Sequence, residues 1–546
     1  MKSGKYIPFL LGATAALHCA AAPATPAPQR PSLAVNIVLS GIPYDFFSRY
    51  EANLTEDGFR KFMREGTVFT ESRYEYMPTN SVSSLATLTT GAYPSVHGVV
   101  GRQWCDVLTG QTVSLIDDPA ATGFDCEFGE GCYSGALLTT PTLGDRLRRD
   151  YPESKVISIA ADPASAIVMA GLGTEAYWLN PRTACWTSSS DYMLYLPGWV
   201  TNFNEQYKNN SYFSNWFWVL CKDEMRYRNR RISYIQPEHE GRFRRMEAIK
   251  ALPGMTAEGR FPRVSATPLA SDMVADFVRQ AVLQERLGDD DTPDLLNICF
   301  DAPRRVIAHY GPESVEAEDM FYQLDRTIAL LIRFIEQETN GRVVFVLTTD
   351  HGCSDSYDAY ALQADRFNGI QFRTIINSFL CAQYGGEAWV TGYFGRRLYI
   401  NRNEAFSRGL SLDDVQRRAS DFALQFRGIA RVVPSCDLRS GAASDRYLQR
   451  LRNGYYQKRS GDLLVDLEPG LIEERTGVRA DTGSAFEYDI HVPLMVMGYG
   501  IPAGVSDEEV DMTSVAVTLA RLLGISQPDA SSALPIRALT EAGTKR

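Results

Sequence analysis

Five short runs of continuous apolar residues constrain the fold more than anything else in the chain: "LAVNIVL" at 33–39, "KVISIA" at 155–160, "DLLNICF" at 294–300, "RVVFVLT" at 342–348 and "PLMVMG" at 493–498. A strand with one face in water alternates apolar and polar side chains, whereas a run that is apolar throughout must be covered on both faces. Segments of helical periodicity at 56–65, 143–150, 267–287, 313–338 and 511–524 lie between the runs and can supply that cover. The expected fold is α/β, a mostly parallel central sheet with helices on both faces in a three-layer sandwich. With 546 residues, 45% hydrophobic and 22% charged, the chain has enough apolar side chain for such a core and is neither a coiled coil nor disordered as a whole.

Two blocks depart from this rhythm. Residues 173–265 are rich in aromatics with few clear periods, and 385–480 alternates strand patterns with an Arg-rich helix at 411–427. Both read as insertions, the first packed over the sheet. The basic segment 226–245 reads as a solvated face. At the start, Lys2 and Lys5 precede an apolar stretch too short to span a bilayer, followed by small residues. This is the layout of a secretory signal peptide over 1–22, with a Pro-rich spacer at 23–31 and one domain over 32–546. Export to the periplasm or the medium is expected, without a transmembrane segment in the mature chain. Lipid anchoring at Cys19 is the alternative, disfavoured because His18 fits poorly before a lipidated cysteine. Nine further cysteines remain, and one disulfide among Cys105, Cys126 and Cys132 is expected in an oxidising compartment. A net charge of -11 argues against nucleic acid as a partner.

In open α/β sheets ligands gather beyond the carboxyl ends of the strands. Ser40, the stretch Asp301 to His309, and Asp350 with His351 all follow apolar runs in this way. A fourth feature, "MPTNSVSSLATLTTGAYPSVHGVVGRQW" at 77–104, opens a helix at 82–90 whose free N–H groups suit an anion. A plain helix cap is the structural alternative for Ser81.

The order "PTNSVSSLATLTTGAYPSVHGVVG", "SVEAEDMFYQLDRTIALLI", "TTDHG", "YDIHVPLMVMG" and "MTSVAVTLARLLGI" resembles the alkaline phosphatase superfamily. It is most similar to the bacterial monomeric alkaline phosphatases with a threonine nucleophile, themselves related to nucleotide pyrophosphatase/phosphodiesterases. The resemblance implies an alkaline-phosphatase-like fold and a two-zinc site at the strand ends. It also implies that this site is degenerate. Of six implied ligand positions, Asp350 and His351 remain, while Ser40, Arg304, Ala308 and Thr482 hold the other four. The nucleophile position is Ser81. The phosphate-binding Asn position is Arg102, and the implied Lys and Arg are Asp162 and Ala164.

A guanidinium about 4 Å from a divalent ion at an effective dielectric of 20 is repelled by roughly 8 kcal/mol. Zinc is therefore expected to be absent, or at most one weakly held ion at Asp350 and His351. Asp301 and His309 flank the altered positions but are spaced eight apart where the resemblance implies four. Arg102 and Arg304 could instead flank a phosphate near Ser81, and the blander alternative is an ion pair between Arg304 and Asp350. The expected function is an inactive pseudophosphatase that binds an envelope protein or a small phosphorylated ligand. The alternative is an active phosphoesterase with a one-metal or arginine-based site using Ser81. His97 and His491 are expected to be structural.

Overall fold

The computed structural model describes residues 1, 30–127, 129–209, 218–229, 264–358, 366–439 and 445–541. The expected signal peptide, Cys19 and nearly all of the basic segment 226–245 lie outside them. Nine strands form the main sheet, in the order Gly504–Asp511, Thr67–Arg73, Leu494–Gly498, Val343–Thr348, Leu33–Leu39, Asp294–Phe300, Val156–Ala160, Glu175–Leu179 and Trp186–Thr187. The five from Val343–Thr348 to Glu175–Leu179 are mutually parallel. Leu494–Gly498 runs antiparallel between Val343–Thr348 and Thr67–Arg73.

Every residue of the four central strands is buried, which is why their sequences carry no polar alternation. Leu33, Val35, Ile37 and Leu39 point to one face, where they meet the helices Phe59–Glu65, Pro268–Glu285 and Val315–Glu338. Ala34 and Val38 point to the other and meet Ser81–Thr90, Leu143–Asp150, Pro163–Ala170 and Ser514–Leu523. One polar exception crosses the centre: Asn36 donates to Asn297 (2.8 Å), and Asn297 donates to Ser158 (3.1 Å). Slipping any of these strands by one residue would turn that amide away from its partners, so the pair holds register, although Asn36 Oδ1 is left buried without a partner among the described residues.

The aromatic block is not wholly an insertion laid over the sheet. Glu175–Leu179 pairs in parallel with Val156–Ala160, and Trp186–Thr187 forms the sheet edge. A separate antiparallel sheet, in the order Val390–Phe394, Arg397–Ile400, Leu463–Leu467 and Ile429–Pro434, packs against the helices Gly369–Tyr384 and Leu412–Ala423. Its first two strands turn through Gly395 and Arg396, both at positive φ (51° and 63°), the pattern of a tight two-residue hairpin. The expected disulfide does not form. None of the nine described cysteines is in a disulfide, and Cys126 and Cys132 both donate to the Glu130 carbonyl.

Among the described residues no helix is long and apolar enough to cross a membrane. His97 is buried, accepting from Val99 N (3.1 Å) beside Thr87 Oγ1 (3.1 Å). His491 donates Nε2–H to the Thr70 carbonyl (2.8 Å) and stacks on Tyr44. Both are satisfied structural histidines.

Candidate active site

Because the central strands are parallel, their carboxyl ends open on one edge of the sheet and bring together residues far apart in sequence. Ser40 follows Leu39, Asp162 closely follows Ala160, Asp301 follows Phe300 and Asp350 follows Thr348 by two residues. Beyond these ends lies a cleft of about 1000 Å³, lined among others by Ser81, Arg102, Arg304, Ala308, His351 and Thr482. These six positions, singled out in the sequence, thus share one cavity, while Ser40, Asp162 and Asp350 are buried and contact its lining through hydrogen bonds, and Asp301, also buried, accepts from Asp162 N.

Asp350 is fully buried. Gly41 N donates to its Oδ1 (2.8 Å) and Ser40 Oγ donates to its Oδ2 (2.6 Å). Ser40 Oγ in turn accepts from Arg304 Nε at 3.2 Å. Arg304 therefore reaches Asp350 through the serine, and the direct ion pair between them does not form. Gly41 makes this approach possible: at its φ of +73° a Cβ would stand 2.8 Å from Arg304 Cβ, closer than real contacts permit.

Ser81 is the first residue of Ser81–Thr90, whose N-cap Asn80 accepts from Ser83 N (3.1 Å). Ser81 Oγ lies 3.1 Å from His351 Nε2, and His351 Nδ1 lies 2.7 Å from the Gly352 carbonyl. A carbonyl oxygen can only accept, so Nδ1 carries the proton. In the neutral ring Nε2 is then the acceptor for the Ser81 hydroxyl. Ser40 Oγ is 3.5 Å from Ser81 Oγ, but each hydroxyl proton is already directed elsewhere.

A second centre surrounds Asp162. Its carboxylate caps the helix Pro163–Ala170 through Ala164 N (3.0 Å) and accepts from Arg102 (2.9 Å) and Arg305 (3.0 Å), with Arg304 Nη2 at 4.0 Å. Burial pushes this carboxyl up, but Arg102 and Arg305 outweigh it and hold it well below the usual carboxylate range. Asp301, which accepts from Asp162 N (3.1 Å) and Ser165 Oγ (2.8 Å), is pushed up by burial and by the charge of Asp162. His309 also lines the cleft, but its Nδ1 lies 3.2 Å from the Gly477 carbonyl and, among the described residues, it forms no metal-holding group with Asp301. Asp301 and His309 thus do not stand in for the altered positions. Thr482 lies 3.3 Å from Thr79, and Ala308 offers the cleft only its methyl group and backbone.

Sequence reasoning missed the far wall of the cleft, where Tyr393, Arg396, Arg397, Arg475 and Asp481 line the same cavity. The only local signal is the doublet Arg396-Arg397 at a tight turn, since the tertiary approach of the second sheet has no trace in the pattern. Among the described residues, no three His, Cys, Asp or Glu side chains are grouped so as to hold a metal ion.

An α/β sandwich with its cleft at the strand ends, a helix-starting hydroxyl and an adjoining Asp-His pair defines a class of phosphoester-processing folds. The chain belongs to the family described as Type I phosphodiesterase / nucleotide pyrophosphatase, whose profile matches residues 34–472, and thus to the alkaline phosphatase superfamily. Among its relatives are alkaline phosphatase PafA of Elizabethkingia meningoseptica, 26% identical over 97% of this chain and 98% of that protein, and a protein of Myroides odoratus named calcium-transporting ATPase, 26% identical over 94% and 95%. The crystal structure of wild-type alkaline phosphatase PafA superposes with a TM-score of 0.86, covering 94% of this chain and all of that one at 24% identity. The fold is alkaline-phosphatase-like.

Proposed function

We propose that this chain is a member of the family in which two-zinc phosphoester hydrolysis has been lost, and that its cleft binds a small phosphorylated ligand in an exported setting. The observation that carries the reading is the chain from Arg304 Nε through Ser40 Oγ to Asp350 Oδ2, 3.2 and 2.6 Å. A zinc site draws three or four donors from the protein. Here two neighbouring donors, Asp350 and His351, face a guanidinium, a serine, an alanine methyl and a threonine, a donor set that does not fit two zinc ions. The Arg304 charge opposes any dication at Asp350, and the carboxylate already accepts two hydrogen bonds. Export rests on the Lys2 and Lys5 start with its short apolar stretch.

Metal analysis of the purified full chain, with p-nitrophenyl phosphate and bis(p-nitrophenyl) phosphate assays with and without zinc, tests this reading. Expected are well under one zinc per chain and no turnover above the buffer rate. About two zinc ions per chain with turnover would overturn it.

The Ser81–His351 contact favours a second reading, a metal-independent phosphoesterase. Ser81 Oγ would attack phosphorus while its proton passes to His351 Nε2 and then to the departing alkoxide, and water would later release the phosphate. A zinc-independent burst of p-nitrophenol that Ser81→Ala abolishes would select this reading over the first.

A further inference from the structure

The arginines around the cleft are not equivalent. Arg102 and Arg305 are engaged by Asp162, Arg475 by Asp481, Arg396 by Asp466 at 3.5 Å, and Arg304 by Ser40. Arg397 differs. It lines the cleft, is 2% exposed, and among the described residues its guanidinium makes no hydrogen bond or ion pair, with Nε both buried and unpartnered. The ionisable groups beside it are the phenols Tyr399 and Tyr76, which burial keeps protonated and neutral. One guanidinium edge, Nη1, lies 3.7 Å from where a Cβ on Gly101 would stand, so it borders the wall that carries Arg102. A buried guanidinium without a counter-charge is costly, and it is retained where an anion completes it.

We propose that Arg397 is the oxyanion-binding residue of this cleft, taking the phosphate group of the ligand on the second-sheet wall rather than at Arg102 and Arg304. The inference rests on the binding function proposed above and specifies where the charge of the ligand sits. A guanidinium fork matches two oxygens of a phosphate, and Arg397 has its donors to spare, whereas Arg102 has a carboxylate already bound to it. Arg397 is the first residue of the strand Arg397–Ile400, directly after the hairpin turn at Gly395 and Arg396.

Calorimetric titration of the full chain with inorganic phosphate and with pyrophosphate tests the assignment, comparing wild type with Arg397→Gln, Arg397→Lys and Arg102→Gln. Expected are binding of at least one probe by the wild type with a Kd tighter than about 1 mM, and a loss of about 30-fold or more in Arg397→Gln. Arg397→Lys keeps affinity within about tenfold and Arg102→Gln within about threefold. The thermal midpoint of Arg397→Gln without ligand is expected at or above that of wild type, because an unpaired buried charge has been removed. A structural arginine would give the reverse, with a lower midpoint and unchanged probe affinity, and that outcome overturns the proposal. So does a wild type that binds neither probe at millimolar concentration, or a larger loss in Arg102→Gln than in either Arg397 variant. If Arg397→Gln does not fold, Arg397→Lys decides, since it keeps the charge and loses the fork. Zinc-dependent turnover by the wild type would defeat the function proposed above while leaving the Arg397 affinity loss in place.

Discussion

Replacing Asp162 with Asn removes a single charge from the middle of three guanidinium groups. Asn keeps an oxygen to cap Ala164 N, so the helix start survives and the change isolates the electrostatic role. Arg102, Arg305 and Arg304 stand 2.9, 3.0 and 4.0 Å from the carboxylate. At an effective dielectric of 20, each attraction is of the order of 4–6 kcal/mol before desolvation is set against it. Removing one partner of a buried ionic cluster costs about 3–5 kcal/mol. The lower end applies here, because the Arg102 side chain is 43% exposed and water screens it, and because Asp301, freed of a neighbouring like charge, can ionise more readily and take over part of the role.

The expected loss is about 3 kcal/mol at pH 8, read from urea unfolding followed by tryptophan fluorescence. The sign with pH is determined: the Asp162 carboxyl is held below its ordinary value of 3.8, so its stabilisation is present above pH 3.8 and is lost as pH falls through its depressed folded value. The gap between wild type and variant must therefore close in acid. A variant within about 0.5 kcal/mol of wild type at pH 8 would refute the view that Asp162 organises the arginines.

Asp272 accepts from Thr327 Oγ1 (2.7 Å) and is pushed up to about 6, chiefly by burial. A raised carboxyl disfavours the charged folded state, so stability is lost as pH rises from 3.8 to about 6. Asp272→Asn should match wild type below pH 4 and exceed it above pH 6 by up to roughly 3 kcal/mol in urea unfolding at stepped pH, from 1.36 kcal/mol per unit. Asn297→Leu strands Asn36 Nδ2 and the Ser158 hydroxyl in the sheet centre. It should cost about 1–3 kcal/mol for each group left unsatisfied, and an unchanged urea midpoint would show that the amide pair is dispensable. The combined variant Ser40→Asp, Arg304→Asp, Ala308→His and Thr482→His should acquire zinc, measured by mass spectrometry after dialysis. Keeping Arg304 in that background should prevent occupancy of the half-site it fills.

The parts of this fold that were readable from sequence are those in which one physical requirement dominates. Burial on both faces leaves continuous apolar runs, and the runs at 33–39 and 294–300 coincide with the strands Leu33–Leu39 and Asp294–Phe300. Gly504–Asp511 escapes the same reasoning because it is an edge strand, with one buried residue and a richness in acidic residues, as edges that must resist further pairing often are. The candidate site divides along a similar line. Parallel strands compel their carboxyl ends to meet, so the convergence of Ser40, Arg304 and Asp350 followed from strand order alone. The serine relay between Arg304 and Asp350 depends instead on a rotamer and on the close approach allowed at Gly41, neither of which has a sequence period. Arg397 is further out of reach, since its meaning lies in the lack of a counter-charge among the described residues, which can be seen only once every neighbour is in place. The two kinds of residue also differ in what their loss would reveal. Asp162 and Asn297 report on stability because their partners lie within the fold, whereas Arg397 should report on ligand affinity because its partner does not.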